Sequence, residues 1–255
     1  IYDEFIIPSI IDDYKGLNNN DGIIFSNFRA DRMIQIAKSI SSRSFLKFKR
    51  GINKRPKSIL SMTSYSKELD KIISPIYKGK KTINTLGEVI SSYNLKQFRI
   101  AETEKYAHVT YFFNSGTDKL YKGEKRVLID SPNVSTFDLK PEMSAFKVTK
   151  ELIKAIKSKK YNFLLVNFAN TDMVGHTGDL NATIKAVETV DKCIGQIVKA
   201  THDKDGCFIL TADHGNAEKM LDSKTNMPHT AHTNNLVPLI VAHPSLNIKI
   251  KNGDL

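Results

Sequence analysis

Three short stretches of this 255-residue chain gather side chains that can hold a divalent cation. In NFANTDMVGHTGD, residues 167–179, Asp172 and His176 stand four apart. On one helical turn that spacing puts a carboxylate and an imidazole on a shared face, where both can grip one ion. In LTADHGNAE, residues 210–218, Asp213 and His214 are adjacent. In a turn after a strand both can face one ion, and Gly215 permits the tight bend. In PHTAHTNNLVP, residues 228–238, His229 and His232 are three apart. His232 is chosen as the ligand, and His229 is assigned a place beside the ion or facing a substrate. Imidazole and carboxylate donors favour a borderline ion, Mn²⁺ or Zn²⁺. Two such ions ~3.5–4 Å apart suit phosphoryl transfer, in which they clamp the attacking and leaving oxygens. His202 and His243 read as surface or loop histidines.

The elements around these stretches must bring them together. Leu164-Leu165-Val166 is an apolar run that ends in Asn167, Asn170 and Asp172, the pattern of a buried strand delivering polar groups to its C-terminal end. Residues 207–213 and 237–243 read as further apolar strands, with the remaining pieces at the end of the first and just before the second. Helix-and-strand alternation runs through most of the chain. A helix starts at 85–90 and leads to a strand at 97–100. AETEKYAHVTYFF, residues 101–113, follows; KRVLID is another strand, and a Pro-broken loop comes after it. Residues 144–158 form an amphipathic helix on Phe146, Val148, Leu152, Ile153 and Ile156. Residues 181–200 form another on Val187, Val190, Ile194 and Ile197. The expected fold class is α/β, a mainly parallel sheet sandwiched by helices.

The first segment reads as a smaller α/β piece. It has a strand at 23–25, a helix carrying Met33, Ile34, Ile36 and Ala37, and strands in SFLKFKR (44–50) and KSILSMTSY (57–65). Ser74-Pro75 and Lys78-Gly79-Lys80-Lys81 read as a linker, so the expected division is 1–75 and 76–255. Arg29 and Arg32 lie three apart near that helix's start, either as surface arginines or as a fork for phosphate or carboxylate oxygens.

Composition bounds the function. The net charge is +11, which allows a basic nucleic-acid-binding module or an anionic small substrate. The densest cluster, Lys47, Lys49, Arg50, Lys54, Arg55 and Lys57, reads as a solvated strand edge and loop. No apolar run approaches the ~20 residues of a membrane span. Cys193 and Cys207 show no pairing or metal-site spacing and read as reduced thiols. The chain opens IYDEFIIPSI without an initiator Met or signal-peptide pattern, so the expectation is a part of a longer protein.

Taken together, NFANTDMVGHTG, LTADHGNAE, HTAHTNNLVP, NFRADR (27–32) and AETEKYAHVTYFF resemble the cofactor-independent phosphoglycerate mutases of the alkaline phosphatase superfamily. The resemblance runs from DEFIIP to VPLIVA. It implies an alkaline phosphatase-like domain into which a smaller phosphotransferase-type domain is inserted, with residues 1–75 as the end of the insert. It also implies interconversion of 3-phosphoglycerate and 2-phosphoglycerate through a phosphoserine, with two Mn²⁺ (or Mg²⁺) ions and without 2,3-bisphosphoglycerate. By motif, Asp172, His176 and His232 hold one ion, and Asp213 and His214 contribute to the other. Arg29 and Arg32 bind substrate, and Lys105 meets the transferring phosphoryl group. The family's nucleophilic serine and a further metal-binding Asp have no counterpart here, so the chain alone is expected to be inactive. Leu236 stands where the family usually has proline. The further expectations are a small-molecule partner, no nucleic acid, no membrane, a monomeric full-length protein and a cytoplasmic location. The alternatives are another enzyme of the superfamily (a phosphatase, phosphodiesterase or phosphopentomutase) and the nucleic-acid module.

Overall fold

A computed structural model describes residues 7, 9–50, 56–79, 82–248 and 250. The chain divides into two compact units, with the boundary between Thr82 and Ile83. Most of DEFIIP lies outside the described residues, as do Lys54, Arg55, Lys80 and Lys81.

The first unit carries β1 (Gly22–Phe25), α1 (Ala30–Ser41), β2 (Ser58–Thr63) and β3 (Ser74–Tyr77), and its strands form a parallel sheet in the order β1-β2-β3. Phe25, Ala37, Leu69 and Ile73 are buried in it, and the buried Tyr65 hydroxyl donates to the Asn27 carbonyl at 2.6 Å. Two expectations fail here. Ser74 and Pro75 belong to β3 rather than to a linker. Proline fits there because β3 is an edge strand, where a missing N–H interrupts no ladder. Residues 44–50 form no strand. Phe45 and Phe48 instead meet edge to face at 4.8 Å, a contact that a straight strand forbids because positions three apart fall on opposite faces. Arg50 closes this loop, its guanidinium over Phe45 and donating to the Ser39 carbonyl at 3.0 Å.

The second unit contains α2 (Leu86–Ser92), β4 (Gln97–Glu102), α3 (Tyr106–Val109), β5 (Glu124–Ile129), α4 (Ala145–Lys157) and β6 (Phe163–Asn167). These are followed by α5 (Asn170–Gly175), α6 (Leu180–His202), β7 (Phe208–Leu210) and β8 (Ile240–Ala242). Strand β4 is central, parallel to β5 on one side and β6 on the other, and all six of its residues are buried. Its two faces differ. Phe98 and Ile100 pack with Val148, Leu152 and Ala155 of α4 and Ile197 of α6. Each large apolar side chain buried there contributes about 1.5–3 kcal/mol.

Gln97 and Arg99 face the other way. The Arg99 guanidinium donates to Gln97 Oε1 (2.7 Å), Asn114 Oδ1 (2.8 Å) and the Val109 carbonyl (3.2 Å), and lies 3.3 Å from the buried Glu124 carboxylate. Burial works against its charge, and Glu124 works to retain it. Helix α2 comes so close that a Cβ on Gly87 would collide with this guanidinium. Helices therefore cover both faces of a parallel sheet.

Strands β7 and β8 pair antiparallel, and among the described residues neither is hydrogen-bonded to β6. A cavity of about 500 Å³ lies between β6, α6 and β7, lined by Leu165 and Val166 of β6, Ile194 and Ile197 of α6, and Phe208 and Leu210 of β7. This cavity explains where the apolar stripe of α6 goes. Val190, Ile194 and Ile197 border it, Val187 is exposed, and the deepest positions are the small Ala186 and Cys193. In α4, likewise, Phe146 is exposed while Val148, Leu152 and Ala155 are buried.

Candidate metal centre

The site forms where the C-terminal ends of β4 and β6 meet the loops that follow β7. Residue Asp172 sits in the first turn of α5, five residues beyond the β6 ladder, and is only 9% exposed. His176 closes the same helix. Lys105 ends a single 3-10 turn, Thr103–Lys105, that leaves β4, and it is buried. His214 follows β7, and His232 lies in the long loop between β7 and β8.

Asp172 Oδ1, His176 Nε2 and His232 Nε2 form a triangle with every side 3.1 Å. His176 Nδ1 lies 2.6 Å from the Thr230 carbonyl. A carbonyl only accepts, so the proton is on Nδ1 and the Nε2 lone pair points into the triangle. Three ligand atoms thus converge with too few hydrogens between them. First-row ions that hold nitrogen and oxygen at ~2.0–2.2 Å keep neighbouring ligands roughly 3.0–3.5 Å apart. The triangle fits such an ion, and the mixed imidazole–carboxylate donors suit Mn²⁺ or Zn²⁺.

The rest of the site decides which carboxylate oxygen would be used. Lys105 Nζ lies 2.6 Å from Asp172 Oδ2, a pair almost fully removed from water. Asn216 Nδ2 donates to Oδ1 at 2.9 Å. Burial works against the Asp172 charge, but the His176 imidazole and the Lys105 ammonium beside it outweigh this and hold the carboxyl well below the usual range. Burial pushes the His232 imidazole toward its neutral form, the ligating one, and Asp172 opposes this.

His214 stacks on His232, with ring centroids 3.7 Å apart and planes 21° from parallel, and its Nε2 lies 3.9 Å from Asp172 Oδ1. Asp213 Oδ1 is 3.8 Å from the same nitrogen. Asp213 and His214 therefore stand beside the three-atom group rather than in it. His229 belongs to the loop of His232, but the group contains His232 and not His229.

Arg29 and Arg32 lie in the first unit. Arg29 precedes α1 and pairs with Asp31 at 3.0 Å, and Arg32 occupies the first turn of that helix. Residue spacing did not reveal the parts of Asn216, Glu218 and the Thr230 carbonyl. The first two lie inside LTADHGNAE, but an amide and a carboxylate in a loop carry no periodic signal. A backbone carbonyl carries no sequence signal at all.

The family model for the metalloenzyme superfamily matches residues 20–254. The chain is 50% identical over 255 residues to a 2,3-bisphosphoglycerate-independent phosphoglycerate mutase of Ehrlichia ruminantium, covering 100% of this chain and 50% of that protein. The like-named protein of Clostridium beijerinckii is 47% identical, with 99% of this chain and 50% of that one covered. The chain thus spans about half the length of these curated relatives. A crystal structure of Leishmania mexicana phosphoglycerate mutase at low cobalt concentration superposes with a TM-score of 0.80 at 33% identity, covering 91% of this chain and 44% of that one. With a family model matched over almost its whole length, the chain belongs to the metalloenzyme superfamily.

Proposed function

We propose that this chain supplies the metal-binding part of a cofactor-independent phosphoglycerate mutase, which interconverts 3-phosphoglycerate and 2-phosphoglycerate through a phosphoserine. The observation that carries the reading is the Asp172–His176–His232 triangle, with Lys105 on the far oxygen of Asp172 and His214 stacked alongside. The names of the half-matching relatives support the substrate. The cobalt in the name of the Leishmania structure supports a divalent ion. Asp172, His176 and His232 would hold one ion, and Asp213 and His214 would contribute to a second, Mn²⁺ or Mg²⁺ in each case. Bound there, the ions supply Lewis acidity toward phosphoryl oxygens and offset their charge.

The chain's own residues do the rest. Lys105 holds Asp172 ionised and brings a positive charge to the edge of the cavity, where it can offset charge on a transferring phosphoryl group. Arg29 and Arg32 hold the glycerate carboxylate or phosphate while the substrate turns. The phosphoryl group passes from one glycerate hydroxyl to the serine oxygen and from there to the other hydroxyl. That serine and its companion Asp belong to the part of the relatives this chain does not span, and we expect these 255 residues alone to lack turnover. Residues 1–75 are proposed as part of an inserted phosphotransferase-type domain and 76–255 as part of the metal-binding domain. The full-length enzyme is proposed to be a cytoplasmic monomer that needs no 2,3-bisphosphoglycerate. Among the described residues no helix is long and apolar enough to cross a membrane.

A coupled assay on 3-phosphoglycerate with the full-length protein tests the reading, with inorganic phosphate measured in parallel. Formation of 2-phosphoglycerate is expected. Phosphate release alone would assign the site to a phosphatase of the same superfamily. The 255-residue chain by itself should show neither reaction.

A further inference from the structure

We infer that Glu218 is a positioning residue that staples the loop carrying His214 to the loop carrying His232. It thereby sets the spacing between the Asp213–His214 pair and the Asp172–His176–His232 group. The inference rests on the metal-site reading above for its functional meaning, but its geometry is independent of any ion.

Three donors from two loops converge on this one carboxylate. From its own loop, the Asn216 backbone N–H donates to Oε2 at 2.6 Å. From the opposite loop, the Thr233 hydroxyl donates to Oε1, and Asn235 Nδ2 donates to the same oxygen at 2.9 Å. The Thr233 oxygen in turn accepts from the Asn235 N–H at 3.3 Å, so its hydrogen is free to point at Glu218. The backbone link beside the staple is an isolated bridge in which Thr233 N–H donates to the Gly215 carbonyl at 2.9 Å. The approach is tight: a Cβ on Gly215 would lie 2.6 Å from Glu218 Oε1, so the carboxylate would have to shift to admit one.

Both arms end on the metal group. Asn216 donates its side-chain amide to Asp172 Oδ1, and Thr233 immediately follows His232. The stack of His214 on His232 lies between the two arms. A neutral side chain of the same length offers one carbonyl and one NH₂, so it can serve one loop's donors but not both. A carboxylate accepts from both loops and strengthens each bond by its charge.

The test uses the 255-residue chain and its E218A, E218Q and T233V variants. Imidazole ¹H–¹³C signals are recorded without metal, and Co²⁺ is then titrated and followed by its visible absorption. In E218A and T233V the ring signals of His214 and His232 should move as the stack loosens, while those of His202 and His243 and the far-ultraviolet circular dichroism stay put. Co²⁺ affinity should fall about 10- to 100-fold, with altered absorption bands, as for other groups that orient ligands. E218Q should regain only part of both, because its carbonyl still accepts from Thr233 and Asn235 while its NH₂ cannot accept from the Asn216 N–H. Wild-type ring signals together with wild-type Co²⁺ affinity in E218A would overturn the staple, as would unmoved ring signals in T233V. A wild-type chain whose Co²⁺ uptake survives H232A would refute the metal reading instead, and the ring signals alone would then decide for or against the staple.

Discussion

Glu102 offers a sharp pH test of how the sheet end is built. It is the last residue of β4, fully buried, and its carboxyl accepts from the Ser144 N–H at 3.2 and 3.3 Å and from the Ser131 hydroxyl at 3.1 Å. Burial raises its pKa from 4.5 to about 7; nearby Glu104 adds to the rise, while the serines and Lys147 oppose it. The folded state therefore binds this proton more tightly than the unfolded chain does. The stabilisation from Glu102 is fully present below pH 4.5 and is lost as pH rises through about 7. At ~1.4 kcal/mol per pH unit, the loss is on the order of 3 kcal/mol. Glu102→Gln keeps a carbonyl acceptor for Ser144 and cannot ionise. Urea unfolding of both proteins at pH 4.5, 6 and 8 should show the variant gaining on the wild type by roughly this amount across the series. Parallel stability profiles for the two proteins would refute the reasoning, since they would mean that Glu102 titrates alike folded and unfolded.

Three further outcomes are expected. His232→Ala should weaken Mn²⁺ binding far more than His229→Ala, because only His232 completes the triangle; calorimetry giving the reverse order would show that the wrong histidine was chosen. Lys105→Met should cost about 3–5 kcal/mol in a denaturant titration, since it strands the buried Asp172 carboxylate; a loss below 1 kcal/mol would mean that water reaches the pair. Gly87→Ala should destabilise by about 1–3 kcal/mol despite alanine's better helix propensity, because the methyl group meets the Arg99 guanidinium. A melting temperature equal to wild type would show that Arg99 can move aside.

Much of this architecture can be read from residue order, and the exceptions have physical causes. Alternating apolar runs and amphipathic stretches announce β4, β6, α4 and α6, because burial on a parallel sheet leaves few polar positions. Asp172, His176 and His232 are visible as separate pieces since each follows or precedes an apolar strand. Their meeting is a matter of topology, which spacing does not encode. Residues 44–50 read as a strand by alternation, but the Phe45–Phe48 pair and Arg50 close them into a loop. Val187 reads as core by period, but the face of α6 next to it opens on a cavity instead of another element. Asn216 and Glu218 act through hydrogen bonds across loops, a role that no periodicity or composition marks.

The gap between β6 and β7 has a mechanical consequence. Asp172 and His176 stand on one bank and His214 and His232 on the other, and no backbone ladder joins the banks among the described residues. Side chains tie them instead: Asn216 to Asp172, His176 to the Thr230 carbonyl, His232 to Asp172. Such a joint is compliant where a ladder would be stiff, so its amides should exchange with solvent well before those of β4. A cation gripped from both banks acts as a cross-link. At a concentration 100 times its dissociation constant it adds about 2.7 kcal/mol to the bound state, and that energy is spent on rigidity where the fold itself is softest.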